Sequence, residues 1–214
     1  MRSPGAQRRL GNLLGGEHLP IQVEIYAAEG VAIGVVARSG HLREALEAGG
    51  PLRIEDATWH SLLEEPARPA GEILLPPDDI HLATADEVDD IPVHAQWHDI
   101  AIEVGPYRVT GQMPTMPGFD PGRALARPTG EFVQLRDASI GLLSEASAGG
   151  LTRHMALVNR YVVDRVEADL MLGFFFPGAV MVHTGGQDPA DAGAPAPTPA
   201  APPAPPAASP QPAT

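Results

Sequence analysis

The sequence contains no cysteine and no lysine. Without thiols, disulfide bonds, thiolate nucleophiles and thiolate-zinc sites are excluded, and stability has to come from packing. Without an ε-amine there is neither a P-loop lysine nor a Schiff-base lysine. All 14 basic residues are arginine, they face 27 acidic residues, and the formal net charge is -13. A surface of that sign repels phosphate backbones and anionic lipid, so charge disfavours nucleic acid and membrane surfaces as partners. Long hydrophobic runs are also missing. The most apolar stretch, LMLGFFFPGAVMV at 170–182, is too short to span a bilayer, and MRSPGAQRRLGNLLGG has no apolar run of signal-peptide length. A cytoplasmic protein without a transmembrane segment is the expectation.

What is present divides by composition. Residues 1–18 are rich in Arg and Gly and read as a flexible N-terminus, whereas nearly all large apolar side chains lie between residues 19 and 183. Acidic residues in TADEVDDIPV interrupt that region, and residues 87–97 read as a linker between two apolar halves, 19–86 and 98–183. From 184 to 214 Pro and Ala dominate, which leaves nothing to bury and predicts a disordered tail leaning toward polyproline II.

The two halves carry the same pattern in the same order. Gly34 matches Gly111 at an offset of 77, REAL ending at Leu46 matches GRAL ending at Leu125 at 79, and the Asp of RIEDAT at 56 matches that of QLRDAS at 137, at 81. EILLPPDDIHLATAD, ending at Asp86, matches MALVNRYVVDRVEAD, ending at Asp169, at 83. Offsets that climb steadily in one direction are what small loop insertions in a second copy produce. Each copy has strand periodicity. IQVEIYAA and VAIGVVAR are followed by the helix-like HLREALEAG and then by LRIEDATW and EILL, and the second half repeats that order. PPDD and NRY make sharp reversals before the last strand of each copy. Five strands and one short helix in about 70 residues predict a mainly β protein of two tandem five-stranded barrels, a closure that removes exposed sheet edges.

The order V-x-I-Y, Gly, REAL, L-x-I-x-D-A-T, EILLPPDDIHLA, echoed by FVQLRDAS and MALVNRYVVDRV, resembles the Sm-like (SH3-like) small β-barrels of uncharacterised bacterial proteins over about residues 20–169. That resemblance implies five-stranded barrels and, in the wider group, ring assembly and RNA binding. The sequence departs from the group's RNA loops. Neither SGHLREAL nor PGFDPGRAL contains Asn, and only Asn159 and Arg160 stand where an RNA-contacting loop would lie.

Chemical motifs are sparse. His94 and His98 have i, i+4 spacing, yet the segment leads into a strand, where residues four apart lie about 13 Å from one another, and no HExxH glutamate is present. His81 reads as a strand residue at the interface between copies. The acidic pairs Glu64-Glu65, Asp78-Asp79 and Asp89-Asp90 are solvated charge or point to opposite strand faces. GxSxG and GxGxxG are absent. No catalytic, cofactor-binding or metal site is therefore assigned, and no cofactor is expected. Phe174, Phe175 and Phe176 would be costly in water and form the candidate interaction surface, or else a terminal strand laid over or between the barrels. The leading expectation is a non-enzymatic interaction or scaffold module with a protein partner or self-association. Its alternatives are an Sm-like nucleic-acid-binding or regulatory factor and, last, a metal-dependent enzyme built on His94 and His98.

A chain ending at His183 should melt within a few degrees of the full chain by circular dichroism, because residues 184–214 bury no apolar area.

Overall fold

The computed structural model describes residues 20–37, 41–63, 66–86, 95–115, 130–145, 150–170 and 172–184. The expectations for residues 1–18, for most of the linker, for the helical segment GRAL and for the tail from Gly185 onward lie outside them.

In the first half, β1 (Ile21–Ala27) and β2 (Gly30–Val36) are followed by helix α1 (Leu42–Glu47) and by β3 (Leu52–Ser61), β4 (Arg68–Leu75) and β5 (Leu82–Ala85). In the second half come β6 (Gln96–Val104), β7 (Tyr107–Thr115), β8 (Phe132–Leu142), β9 (Leu151–Asn159) and β10 (Val163–Ala168), and a short β11 (Val180–His183) ends the described chain. β6 thus begins inside the span read as linker. β-Branched residues and period-two alternation explain these strands. Along β2, buried and half-buried residues alternate without a break. The β6-β7 connection is tight because Gly105 takes a left-handed φ of 52°.

The strands form one sheet in the order β11-β10-β6-β7-β8-β9-β5-β1-β2-β3-β4. The first half reads β5-β1-β2-β3-β4 and the second reads β10-β6-β7-β8-β9, the same order of first-to-fifth strands. The protein is mainly β, but the expected pair of closed barrels is corrected to one continuous open sheet. In a closed barrel the second edge of β5 would meet β4 of its own half. Here that edge is taken by β9 of the other half, in antiparallel register with Leu82 opposite Val158 and Ala83 opposite Leu157.

Side-chain packing crosses this joint. One apolar cluster is built on β6–β10 around Ile102, Val109, Leu135 and Val166 and also takes in Tyr26 and Leu82 of the first half. The other is built around Ile25, Leu42, Leu46 and Ile54 and takes in Phe132, Met155 and Leu157 of the second. The described residues from 20 to 184 accordingly belong to one compact unit.

The matched glycines and aspartates of the sequence occupy matched irregularities. The β2-β3 register slips between Ile33 and Val35, around Gly34, and the β7-β8 register slips between Thr110 and Gln112, around Gly111. Opposite them, Asp56 and Asp137 are the two non-glycine residues with positive φ among the described residues, at 50° and 48°. Asp tolerates that region because its short polar side chain bonds locally. A Cβ on Gly34 would lie 2.6 Å from the Glu55 carbonyl oxygen, and one on Gly111 would lie 2.9 Å from that of Arg136. Gly34→Val and Gly111→Val should each lower stability by about 1–3 kcal/mol in urea denaturation, the range for overpacking against backbone that cannot yield.

Candidate functional site

Three places on the sheet combine geometry with chemistry: the β5-β9 joint, the outer edge of β4, and the β10 edge covered by β11.

At the joint, Arg153 of β9 grips Glu24 of β1 through two hydrogen bonds, Nη2 to Oε1 at 2.7 Å and Nε to Oε2 at 2.9 Å. Glu24 Oε2 also accepts from the hydroxyls of Tyr26 (2.8 Å) and Thr84 (3.2 Å). Burial alone would raise the Glu24 carboxyl, but the Arg153 guanidinium and the two hydroxyls outweigh it and hold the group below its ordinary value. The Tyr26 hydroxyl is pushed up, first by burial and then by its bond to Glu24. Tyr26 meets Tyr107 edge-on at 5.3 Å, and Tyr107 directs its own hydroxyl, also raised by burial, at the carbonyls of Ala27 (2.9 Å) and Gly30 (3.2 Å). On the other face, α1 reaches across to the second half. Glu47 accepts from the backbone N–H groups of Glu131 (3.1 Å) and Phe132 (3.4 Å).

Of the residues singled out in the sequence, Asn159, Arg160 and His81 lie at the end of β9 and the start of β5. Asn159 and Arg160 are buried. The Asn159 amide donates to the carbonyls of Ile80 (3.1 Å) and Pro77 (3.3 Å), while its oxygen accepts from the Tyr161 N–H at 3.1 Å. Arg160 donates to the Phe174 carbonyl at 3.2 Å and lies 5.0 Å from the Tyr161 ring centre. Both side chains staple segments together, and neither projects from an open loop. His81 stands just before β5, where its backbone bridges the halves, donating to Tyr26 and accepting from Asn159, both at 2.9 Å. Burial pulls the His81 imidazole down despite the opposing charges of Asp164 and Asp79. His98 lies in β6 with Asp169 at 3.9 Å, and its expected partner His94 is outside the described residues. Glu64-Glu65 and Asp89-Asp90 are outside them too, while Asp78 and Asp79 sit in a 3-10 turn.

The Phe run is split. Leu172 and Phe176 are buried in the second-half cluster, Phe175 packs against it, and Phe174 is 66% exposed. β11 then lies parallel on β10. The segment therefore covers the edge of the second half and does not lie across both halves.

An open cleft of about 580 Å³ is lined by Asp99, Gln112, Asp137 and Glu167, and Gln112 is already engaged by Asp99 (2.9 Å) and Arg136 (2.6 Å). Among the described residues no group of three His, Asp or Glu is placed to hold a metal, and no helix is long and apolar enough to cross a membrane.

Glu24 and Arg153 went unread in the sequence. The available signal was a lone charge within the apolar strand IQVEIYA, a position that demands a partner.

A depressed carboxyl contributes stability above its ordinary value of 4.5, and the contribution is lost as pH falls through the lower folded-state value. Glu24→Gln should lower stability by about 1 kcal/mol at neutral pH, the scale of a partly exposed charge-assisted bond. Its melting temperature should also fall less than the wild type's as the pH drops below 4.5; parallel curves would contradict the network.

The chain matches no family model, no curated protein and no solved structure, so its function is read from the joint and the two sheet edges.

Proposed function

We propose that the chain is a non-enzymatic protein-interaction or scaffold module, built from two copies of one Sm-like five-stranded unit, that offers the outer edge of β4 to a strand of a partner protein. The shared strand order and the matched bulges at Gly34 with Asp56 and Gly111 with Asp137 support the duplication.

One observation carries the interaction reading. In the repeat, Leu74 of β4 corresponds to Leu157 of β9. Leu157 is fully buried because β9 has added itself to β5, whereas Leu74 is 56% exposed on a strand whose outer edge pairs with no other strand among the described residues. An unpaired strand edge is a template for another strand, with backbone bonds supplying affinity and alternate side chains supplying selectivity. The chain uses that mode of recognition internally. Nucleic-acid recognition has less support, because Asn159 and Arg160 are buried within the structure and the net charge is -13. A metal-dependent enzyme has least, since among the described residues Asp169 is the one acidic or histidine group within ion-pair distance of His98.

Leu74→Arg places a charge on the exposed edge and should leave the melting temperature within a degree or two. Affinity capture followed by mass spectrometry should recover a partner with the wild type that the variant fails to retain. Equal recovery by both, or saturable RNA binding at moderate salt, would overturn the reading.

A further inference from the structure

A cavity of about 300 Å³ lies where the β1-β2 turn meets the connection between β4 and β5. Trp59 and Leu75 supply its apolar wall, and His81 stands half-buried in its lining. Carboxylates reach it from two turns, Glu29 from the β1-β2 turn and Asp78 and Asp79 from the 3-10 turn before β5. Elsewhere in the sheet part-buried acids are neutralised by arginine, Glu24 by Arg153 and both Glu103 and Glu167 by Arg108. Among the described residues the side chains of Glu29, Asp78 and Asp79 make no hydrogen bond or ion pair, and the shielded Nδ1 of His81 makes none either. The strand framework does not require this lining. Ala32 stands opposite Trp59 as Val109 stands opposite Ile140, so the second half has Ile140 where the first has Trp59, and Pro106 where it has Glu29. Tyr161, Val162 and Asp164 correspond to Asp78, Asp79 and His81, and the Asp164 carboxylate is already taken by the Gly105 N–H at 2.9 Å.

We propose that this cavity binds an aliphatic diamine, with its methylenes against Trp59 and Leu75, one ammonium group toward Glu29 and the other toward Asp78 and Asp79. Its occupancy does not depend on the open edge of β4. The spread of the acids decides the class of ligand. Among the described residues no three acidic or histidine groups converge closely enough to hold a metal ion. A single point charge therefore cannot engage both turns, whereas two cationic ends joined by an apolar chain can. A lysine or arginine side chain brings one charge, and a free amino acid brings a carboxylate that the same acids repel. Each end of a diamine gains a charge-assisted hydrogen bond, an ammonium close to the indole face gains cation–π attraction, and the methylenes leave water. Three like charges around one small cavity also repel one another, and a dication relieves that repulsion. Burial holds the His81 imidazole below its ordinary 6.5, so near neutral pH it is uncharged and does not oppose a cation. The net charge of -13 draws cations of every kind to the surface, and the apolar wall selects those with a methylene chain.

Calorimetric titration of the full chain with putrescine tests this at about 0.1 M salt, where charges more than about 10 Å apart are screened. The titration should show a single saturable site per chain. Butylamine, with one ammonium group, should bind about tenfold more weakly, and the corresponding diol should give no heat of binding. Glu29→Gln and Asp79→Asn, at exposed positions, should each weaken putrescine binding by about fivefold, as should Trp59→Leu. Glu44→Gln removes the same charge from an exposed position on α1 and should leave the affinity within about twofold. The two acid variants carry the test if Trp59→Leu fails to fold, since the Trp59 ring lies against Gly30. Butylamine binding as tightly as putrescine would mean a site for one ammonium group and would overturn the diamine assignment. Displacement of putrescine by magnesium at equal charge, or an equal loss of affinity in Glu44→Gln, would mark condensed counterions and not a site. The absence of saturable heat at millimolar putrescine would overturn the proposal outright.

Discussion

The antiparallel ladder between β5 and β9 is the constraint on which the rest of the molecule depends. Only two residue pairs define it, Leu82 with Val158 and Ala83 with Leu157, extended by the bond from the Asn159 N–H to the His81 carbonyl. Those few bonds place Leu82 and Tyr26 in the core of the second half and Leu157, Met155 and Phe132 in the core of the first. Each fully buried side chain of that size is worth about 1.5–3 kcal/mol relative to exposure. The apolar residues that cross the joint therefore outweigh the Glu24–Arg153 pair, whose energetic worth is modest. The pair does something else. A half-buried carboxylate needs a partner, and Arg153 meets Glu24 only when β9 lies in one register, so the ion pair fixes alignment where a two-residue ladder would leave it loose.

Small five-stranded units have limited cores, and sharing is a physical answer to that limit. Helix α1 shows the same economy. It buries Leu42, Ala45 and Leu46 in its own half while Glu47 caps the N–H groups at the start of β8 in the other. The result is one compact unit in which neither half presents a complete core by itself.

Much of this was legible in the sequence, and the illegible parts have specific causes. The climbing offsets between Gly34 and Gly111 and between Asp56 and Asp137 pointed to equivalent positions, because a glycine under a bulge and an aspartate at positive φ are backbone requirements that leave a residue-type signature. Strand alternation placed the strands but could not place their neighbours. A strand buried on one face looks the same whether its edge meets its own half, the other half or solvent, so the expected barrels became one open sheet. The Phe run misled in a different way. Three consecutive aromatics suggested one apolar surface, yet the turn in which the Phe175 and Phe176 N–H groups both reach the Leu172 carbonyl sends Phe176 inward and Phe174 outward. Asn159 and Arg160 had the composition of a contact loop and are instead consumed by bonds within the chain.

The two ends of the sheet are managed by different means. At one end β11 covers β10. At the other, β4 opens with Arg68 and Pro69 and bends at Gly71, whose φ is 71°, features that blunt the first half of the edge by charge, by a missing N–H and by twist. Its second half, Glu72 to Leu75, is regular, and its exposed side carries Glu72, paired with Arg53 at 3.1 Å, and the apolar Leu74. On the proposed duplication, the residues that make the internal joint permanent have been placed on one interface alone: Glu24, Arg153 and Asn159 have Ala101, Ala70 and Pro76 as their counterparts at the outer edges. On the reading proposed above, the strand addition that these residues lock inside the molecule would recur at the β4 edge without them, and a strand edge lacking such residues is suited to contacts that form and release.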